Sequence, residues 1–174
     1  HGRGDPAAAG LMALPSELRL SDPAVLIATF FGAGALPKAP GTWGSAAALP
    51  VGVGLLMVGG PWAVSAGAAV AFFVGWWATA RVLEQTGGGD PGYVVIDEVA
   101  GQLMVLAMVP PDVTHVAFAF VVFRAFDILK PWPIGWLDRN IHGALGVMVD
   151  DIAAGALGAL VIGLGGLVIL AYVL

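Results

Sequence analysis

The chain has 174 residues, 59% of them hydrophobic and only 11% charged, with a net charge of -5 at pH 7. A water-soluble domain of this length carries about a quarter charged residues, so several segments must face lipid or one another. The negative charge and seven scattered Lys and Arg exclude a nucleic-acid surface, and the absence of cysteine excludes disulfides, thiolate zinc sites and cysteine nucleophiles.

Residues 1–21 read as a flexible N-terminal segment, with 1–9 resembling a processed or engineered end, and 22–174 as a single membrane domain. A helix needs about 20 apolar residues, and no fewer than about 17, to cross a bilayer. The run 24–31 is too short and reads as an interfacial or re-entrant segment. In the glycine-rich stretch 32–45, Thr42 or Ser45 can cap the helix that follows and leave N–H groups free for an anion. A plain membrane-entry loop uses the same residue types. The apolar runs 46–60, 61–83, 94–109, 113–129 and 152–174 predict five helices. Breaks fall at Gly59-Gly60-Pro61, 87–91, Pro110-Pro111 and 131–140. The predicted fold is therefore an all-α, polytopic membrane bundle of about five transmembrane helices.

Threading those spans puts Arg19, Lys38, Arg81, Arg124, Lys130 and Arg139 at one face, while the opposite connections carry no Lys or Arg. The positive-inside rule makes the first face cytoplasmic. In the last span Gly155, Ala159 and Gly163 form a small-residue stripe that lets another helix approach and permits a homodimer.

Six acids stand in or beside the apolar runs: Asp90, Asp97, Glu98, Asp127, Asp150 and Asp151. Each has an ordinary structural role when taken singly. Asp90 precedes Pro91-Gly92 in a turn, and Asp97 and Glu98 sit in a helical first turn about 100° apart. Asp127 shares a face with Arg124 and Lys130 at three-residue spacing, and Asp150-Asp151 can be an N-cap. All of them fall on the same predicted face, where ionisable groups are costly unless paired, wet or holding a cation. Seven basic residues are too few to neutralise them. Hard divalent ions such as magnesium take carboxylate oxygens, and neither His115 nor His142 has the spacing of a zinc set. Metal-bridging carboxylates beside Arg124 and Lys130 suit phosphoryl transfer.

Four segments, PKAPGTWG at 37–44, YVVIDEVAG at 93–101, FRAFDILKPWPI at 123–134 and GVMVDDIAAG at 146–155, resemble the motifs of the bacterial phosphatidylglycerophosphatase A family. The resemblance runs from about residue 26 to the C-terminus, in matching order, with Ala144 standing where glycine is expected. It implies a magnesium-dependent phosphatase of the inner membrane that converts phosphatidylglycerophosphate to phosphatidylglycerol at the cytoplasmic face. It also implies Asp90, Asp97, Glu98, Asp127, Asp150 and Asp151 as the metal-binding acids. Asp97, Glu98, Asp127, Arg124 and Lys130 are the expected catalytic groups, and Lys38, Thr42, Arg124 and Lys130 the expected substrate contacts. Water activated by Asp97 or Glu98 is the expected nucleophile, with an aspartyl-phosphate route chemically open. The competing reading is a divalent cation transporter or channel using the same carboxylates. It is disfavoured because the acids gather at one face and not at the midplane.

Overall fold

The structure is a computed structural model that describes residues 14–89 and 91–173; its regular elements, among those residues, are all helical. They are α1 (Pro23–Ala28), a 3-10 turn (Ala33–Ala35), α2 (Pro40–Thr86), α3 (Ile96–Leu106), α4 (Val113–Leu129), α5 (Ile134–Asn140) and α6 (Gly143–Val173). Of the N-terminal segment 1–21, residues 1–13 lie outside the described residues, while Leu18 is buried and joins the core.

Asp22 caps α1, its side chain accepting from the Ala24 N–H at 2.8 Å, and Pro23 fits the first turn because its missing N–H has no helical partner there. Six residues cannot cross a bilayer. The short helix instead buries Val25 and Ala28 and ties its end to the start of α3, where the Val95 N–H donates to the Ala28 carbonyl at 2.8 Å.

α2 is one helix only by hydrogen bonding. Gly60 has φ 64° and ψ -159°, outside helical geometry and on the side of φ that favours glycine, and Pro61 supplies no N–H. The chain reverses there: a Cβ on Gly67 would lie 2.7 Å from Leu55 Cδ1. Twelve residues of straight helix would hold those positions about 18 Å apart. The arms 40–59 and 61–86 are therefore antiparallel, broken at the expected Gly59-Gly60-Pro61.

α3 is the axis of the bundle, with nine of its eleven residues buried. It is shorter than the run 94–109 predicts. Pro110 and Pro111 cannot continue a helix, the chain turns at 107–109, and the remaining length is about 16 Å, roughly half a hydrocarbon core. α6 is longer than predicted. It starts at Gly143, nine residues ahead of Ile152, so Asp150 and Asp151 lie beyond its second turn and are not an N-cap. Two helices, Pro40–Thr86 and Gly143–Val168, are long and apolar enough to cross a membrane.

α3 and α6 meet through glycine. A Cβ on Gly101 would sit 2.5 Å from the Asp151 carbonyl oxygen and from the Phe123 ring, and one on Gly155 would sit 2.6 Å from the Gly101 carbonyl oxygen. No side chain fits between the two backbones. Part of the small-residue stripe is thus used inside the chain, while Gly163 faces open space. The bundle has two distinct ends. Gly60, Pro61, Pro110 and Pro111 border one depression at the first. At the second, Gly41 at the start of α2 touches Glu98 of α3 and Arg124 of α4.

Gly155→Leu should lower stability by about 1–3 kcal/mol, the usual cost of overpacking, whereas Gly54→Leu, exposed and outside the stripe, should not, having space to fill. Thermal unfolding in detergent followed by circular dichroism checks this, and equal melting temperatures for the two variants would contradict the packing described.

Candidate active site

The second end of the bundle carries the acids. The first turn of α3 supplies Asp97 and Glu98, the last turn of α4 supplies Asp127, and α6 supplies Asp150 and Asp151. Together with Lys130, Asp138 and His142 they line a cavity of about 410 Å³. One carboxylate oxygen from each of Asp97, Glu98 and Asp151 lies within 4.8 Å of the others. Asp97 is only 8% exposed and Asp151 only 4%, so water does little to separate their charges.

These residues fit a hard divalent cation. The donor set is all oxygen, and its ionised carboxylates can only accept hydrogen bonds, so none can satisfy another. Asp97 Oδ1 does accept the Glu98 N–H at 3.0 Å, which fixes one carboxylate. Glu98 Oε2, in contrast, is buried with no partner in the protein. A buried charged oxygen without a donor is costly, and a cation shared by the three carboxylates removes that cost.

Two cations border the cluster, and they differ. Lys130 ends α4 in a left-handed conformation, φ 43°, its N–H closing on the Phe126 carbonyl. That turn releases the side chain toward α5 and α6, where Nζ donates to Asp138 Oδ1 at 2.5 Å and to Asp150 Oδ2 at 2.6 Å. Burial works to lower its pKa, but the hydrogen bonds to Asp138 and Asp150, with their charges, outweigh it and hold the pKa above the ordinary lysine value. The ammonium is therefore a permanent charge on the cavity wall. Arg124 stands behind the acids and does not line the cavity. Its guanidinium pairs with Asp127, and Nη1 donates to Ser45 Oγ at 3.4 Å. The expected common face of Arg124, Asp127 and Lys130 thus holds for the first pair only, because the helix stops at Leu129.

Asp90 lies outside the described residues. Lys38 is exposed and Thr42 half-buried, and neither lines the cavity. The expectation that Thr42 or Ser45 caps α2 is corrected: the helix starts at Pro40 on Ala39, with no side-chain cap, and Ser45 Oγ donates back to the Gly41 carbonyl at 2.9 Å. Gly41 is required where it stands, since a Cβ there would collide with the Glu98 carboxylate. Asp112 and His115, by contrast, pair at 2.6 Å beside Pro110-Pro111 at the other end.

Sequence reasoning missed Asp138 and His142. The prolines at 131 and 133 mark a break, yet α5 forms immediately after them and carries Asp138 to Lys130. An acid between two site-bearing segments was the available signal.

Fold and site define a class: an all-helical, strongly apolar protein with a carboxylate-lined cavity at one end of its bundle. The sequence profile of the family Phosphatidylglycerophosphatase A matches residues 26–165, and the chain belongs to that family. It is 41% identical over 146 residues to phosphatidylglycerophosphatase A of Escherichia coli (strain K12), covering 83% of this chain and 84% of that protein. The Haemophilus influenzae protein of the same name is 36% identical over 147 residues, 84% of this chain and 90% of its own. A Bacteroides thetaiotaomicron protein provisionally named phosphatidylinositol-3-phosphatase is 39% identical over 138 residues, 75% of this chain and 86% of its own. No solved structure matches the chain.

Arg124→Met should cost about 3–5 kcal/mol, because it leaves buried Asp127 without its partner. Lys130→Met also leaves a buried acid, Asp150, but should cost less, since Lys130 is itself twice as exposed as Arg124 (31% against 15%) and its other partner Asp138 is part-exposed. Thermal melts of both variants in one detergent check the order, and a reversed order would contradict the placement of Arg124 in the interior.

Proposed function

We infer that this chain is a membrane phosphatase that hydrolyses the terminal phosphomonoester of phosphatidylglycerophosphate, leaving phosphatidylglycerol and phosphate. The observation that carries the reading is the triad of Asp97, Glu98 and Asp151, within 4.8 Å of one another beside Lys130, in a chain whose relatives bear that enzyme's name. Asp97, Glu98 and Asp151 are proposed to hold magnesium, with Asp127, Asp150 and Asp90 completing the acidic set. Bound there, such an ion supplies charge neutralisation for the phosphoryl group and acidification of water.

The protein's own groups do the rest. Lys130, tethered between Asp138 and Asp150, presents a fixed positive charge to a phosphoryl oxygen. Asp97 or Glu98, through a carboxylate oxygen that the ion would leave free, is the acceptor for the proton of an attacking water. As the water oxygen bonds to phosphorus and the P–O bond to glycerol breaks, the protonated carboxyl returns its proton to the leaving oxygen, and phosphate departs. Arg124 works at one remove by fixing Asp127. Lys38 and Thr42 flank Gly41, which touches Glu98 and Arg124, and are proposed to meet the lipid headgroup outside the cavity.

We place the chain in the bacterial inner membrane with five passes: the two arms of α2, then α3, α4 and α6. The site end, with exposed Lys38, Arg81 and Arg139, is then cytoplasmic. α3 serves as a pass because its neighbours, and not its own length, shield it from lipid. The open side of α6 at Gly163 is the part of the small-residue stripe left for a second copy. A cation-transport reading is less favoured because the acids sit at one end of the bundle.

Phosphate release from phosphatidylglycerophosphate should fall to background in EDTA and return with magnesium; full activity in EDTA would end the metal mechanism. Asp97→Asn, Asp127→Asn and Asp151→Asn should each lower kcat at least about 100-fold, equivalent to about 2.7 kcal/mol of transition-state stabilisation. Asp112→Asn, at the far end of the bundle, should turn over like the wild type. A comparable loss from Asp112→Asn would show that the site has been put in the wrong place.

A further inference from the structure

An apolar groove of about 340 Å³ runs between the second arm of α2, α3 and α6, bordered by Ser65, Ala69, Phe73, Met104, Ile152 and Ala159. Its one hydroxyl is spent internally, Ser65 Oγ donating to the Pro61 carbonyl at 2.9 Å. The groove and the site share two helices, α3 and α6. Ile152 directly follows Asp151 on α6. Met104 lies seven residues after Asp97 on α3, which returns it to within about 20° of the same face and about 10 Å farther along the axis. A second apolar groove, bordered by Ile96, Val99 and Leu103, shares only α3 with the site, and no residue of α6 lines it. A third depression is at the far end of the bundle.

The offset matters because of the shape of the substrate. In phosphatidylglycerophosphate the scissile phosphate is separated from the acyl esters by a glycerol, a phosphodiester and the acylated glycerol. A lipid with its terminal phosphate at Asp97 and Asp151 must therefore begin its hydrocarbon some distance along the bundle, toward the bilayer interior. We propose that the groove between α2, α3 and α6 holds an acyl chain of the substrate phospholipid. The proposal rests on the phosphatase reading and adds to it where the tail is gripped. Small side chains at 65, 69 and 159 leave the width for a chain, and burial of apolar surface against Phe73 and Met104 adds binding shared by ground state and transition state, which appears in KM.

Two measurements test it. Phosphatidylglycerophosphate bearing a diazirine in one acyl chain would be irradiated with the full-length protein in phosphatidylcholine nanodiscs, and the labelled peptides mapped. Label should concentrate on 65–73, 104–108 and 152–159. Excess unlabelled phosphatidylglycerophosphate should reduce it at least five-fold, while phosphatidylcholine of the same chain length should not. Equal reduction by both lipids would show bulk lipid in the groove, and absence of label there would show the groove covered by a second copy or unused; either overturns the proposal. In the kinetic arm, Ala69→Trp should raise KM for the diacyl substrate at least five-fold more than KM for the deacylated headgroup, with Leu164→Trp as the control outside the groove. Equal KM changes for the two substrates would also overturn it. Labelling is read without turnover, so a chain that released no phosphate would refute the phosphatase reading while the label still decided the groove.

Discussion

The contact between Gly101 and Gly155 is the constraint on which the site depends. Asp97 lies one helical turn before Gly101, and Asp151 one turn before Gly155, so bringing the two glycines to backbone contact brings the two carboxylates together. Their repulsion in a poorly solvated interior opposes this approach. Close packing of α3 and α6, with Phe123 pressed on Gly101, holds against it. The fold thus holds its acids close together against their repulsion, an arrangement that suits a cation.

Around that crossing, the other elements set charge. Gly41 brings the start of α2 against Glu98, and Arg124, anchored on Ser45, keeps Asp127 in place from the interior side. Lys130 faces the other way because α4 ends in a left-handed residue, so the two cations of one segment end on different sides of the acids. The six acids that line the cavity, Asp138 included, therefore meet one guanidinium and one ammonium, too few to neutralise them. Both cations hold acids in place, but only Lys130 lies on the cavity wall.

Much of the architecture was legible from the sequence because lipid leaves few options. The break at Gly59-Gly60-Pro61 and the stop at Pro110-Pro111 follow from backbone chemistry alone, and they fall together at one end of the bundle. What was not legible depended on partners. Asp150 and Asp151 look like the boundary of a span, since a charge inside a helix is affordable only where something across from it answers, and Lys130 is not visible as that answer until α4 ends in its left-handed turn. The same holds for Asp138, hidden in a segment that its prolines mark as a loop, and for Ser45, whose hydroxyl serves the α2 backbone and Arg124 at once. The short length of α3 was masked by apolar residues that are buried against protein and not against lipid.

The central claim is that Asp97, Glu98 and Asp151 form one cation site. Anomalous diffraction from a crystal of the protein soaked in manganese tests it most directly. The account predicts a peak bounded by carboxylate oxygens from all three residues, on the cavity side of the Gly101–Gly155 crossing. Manganese bound elsewhere, or a protein saturated with manganese that shows no peak among these three carboxylates, would contradict it.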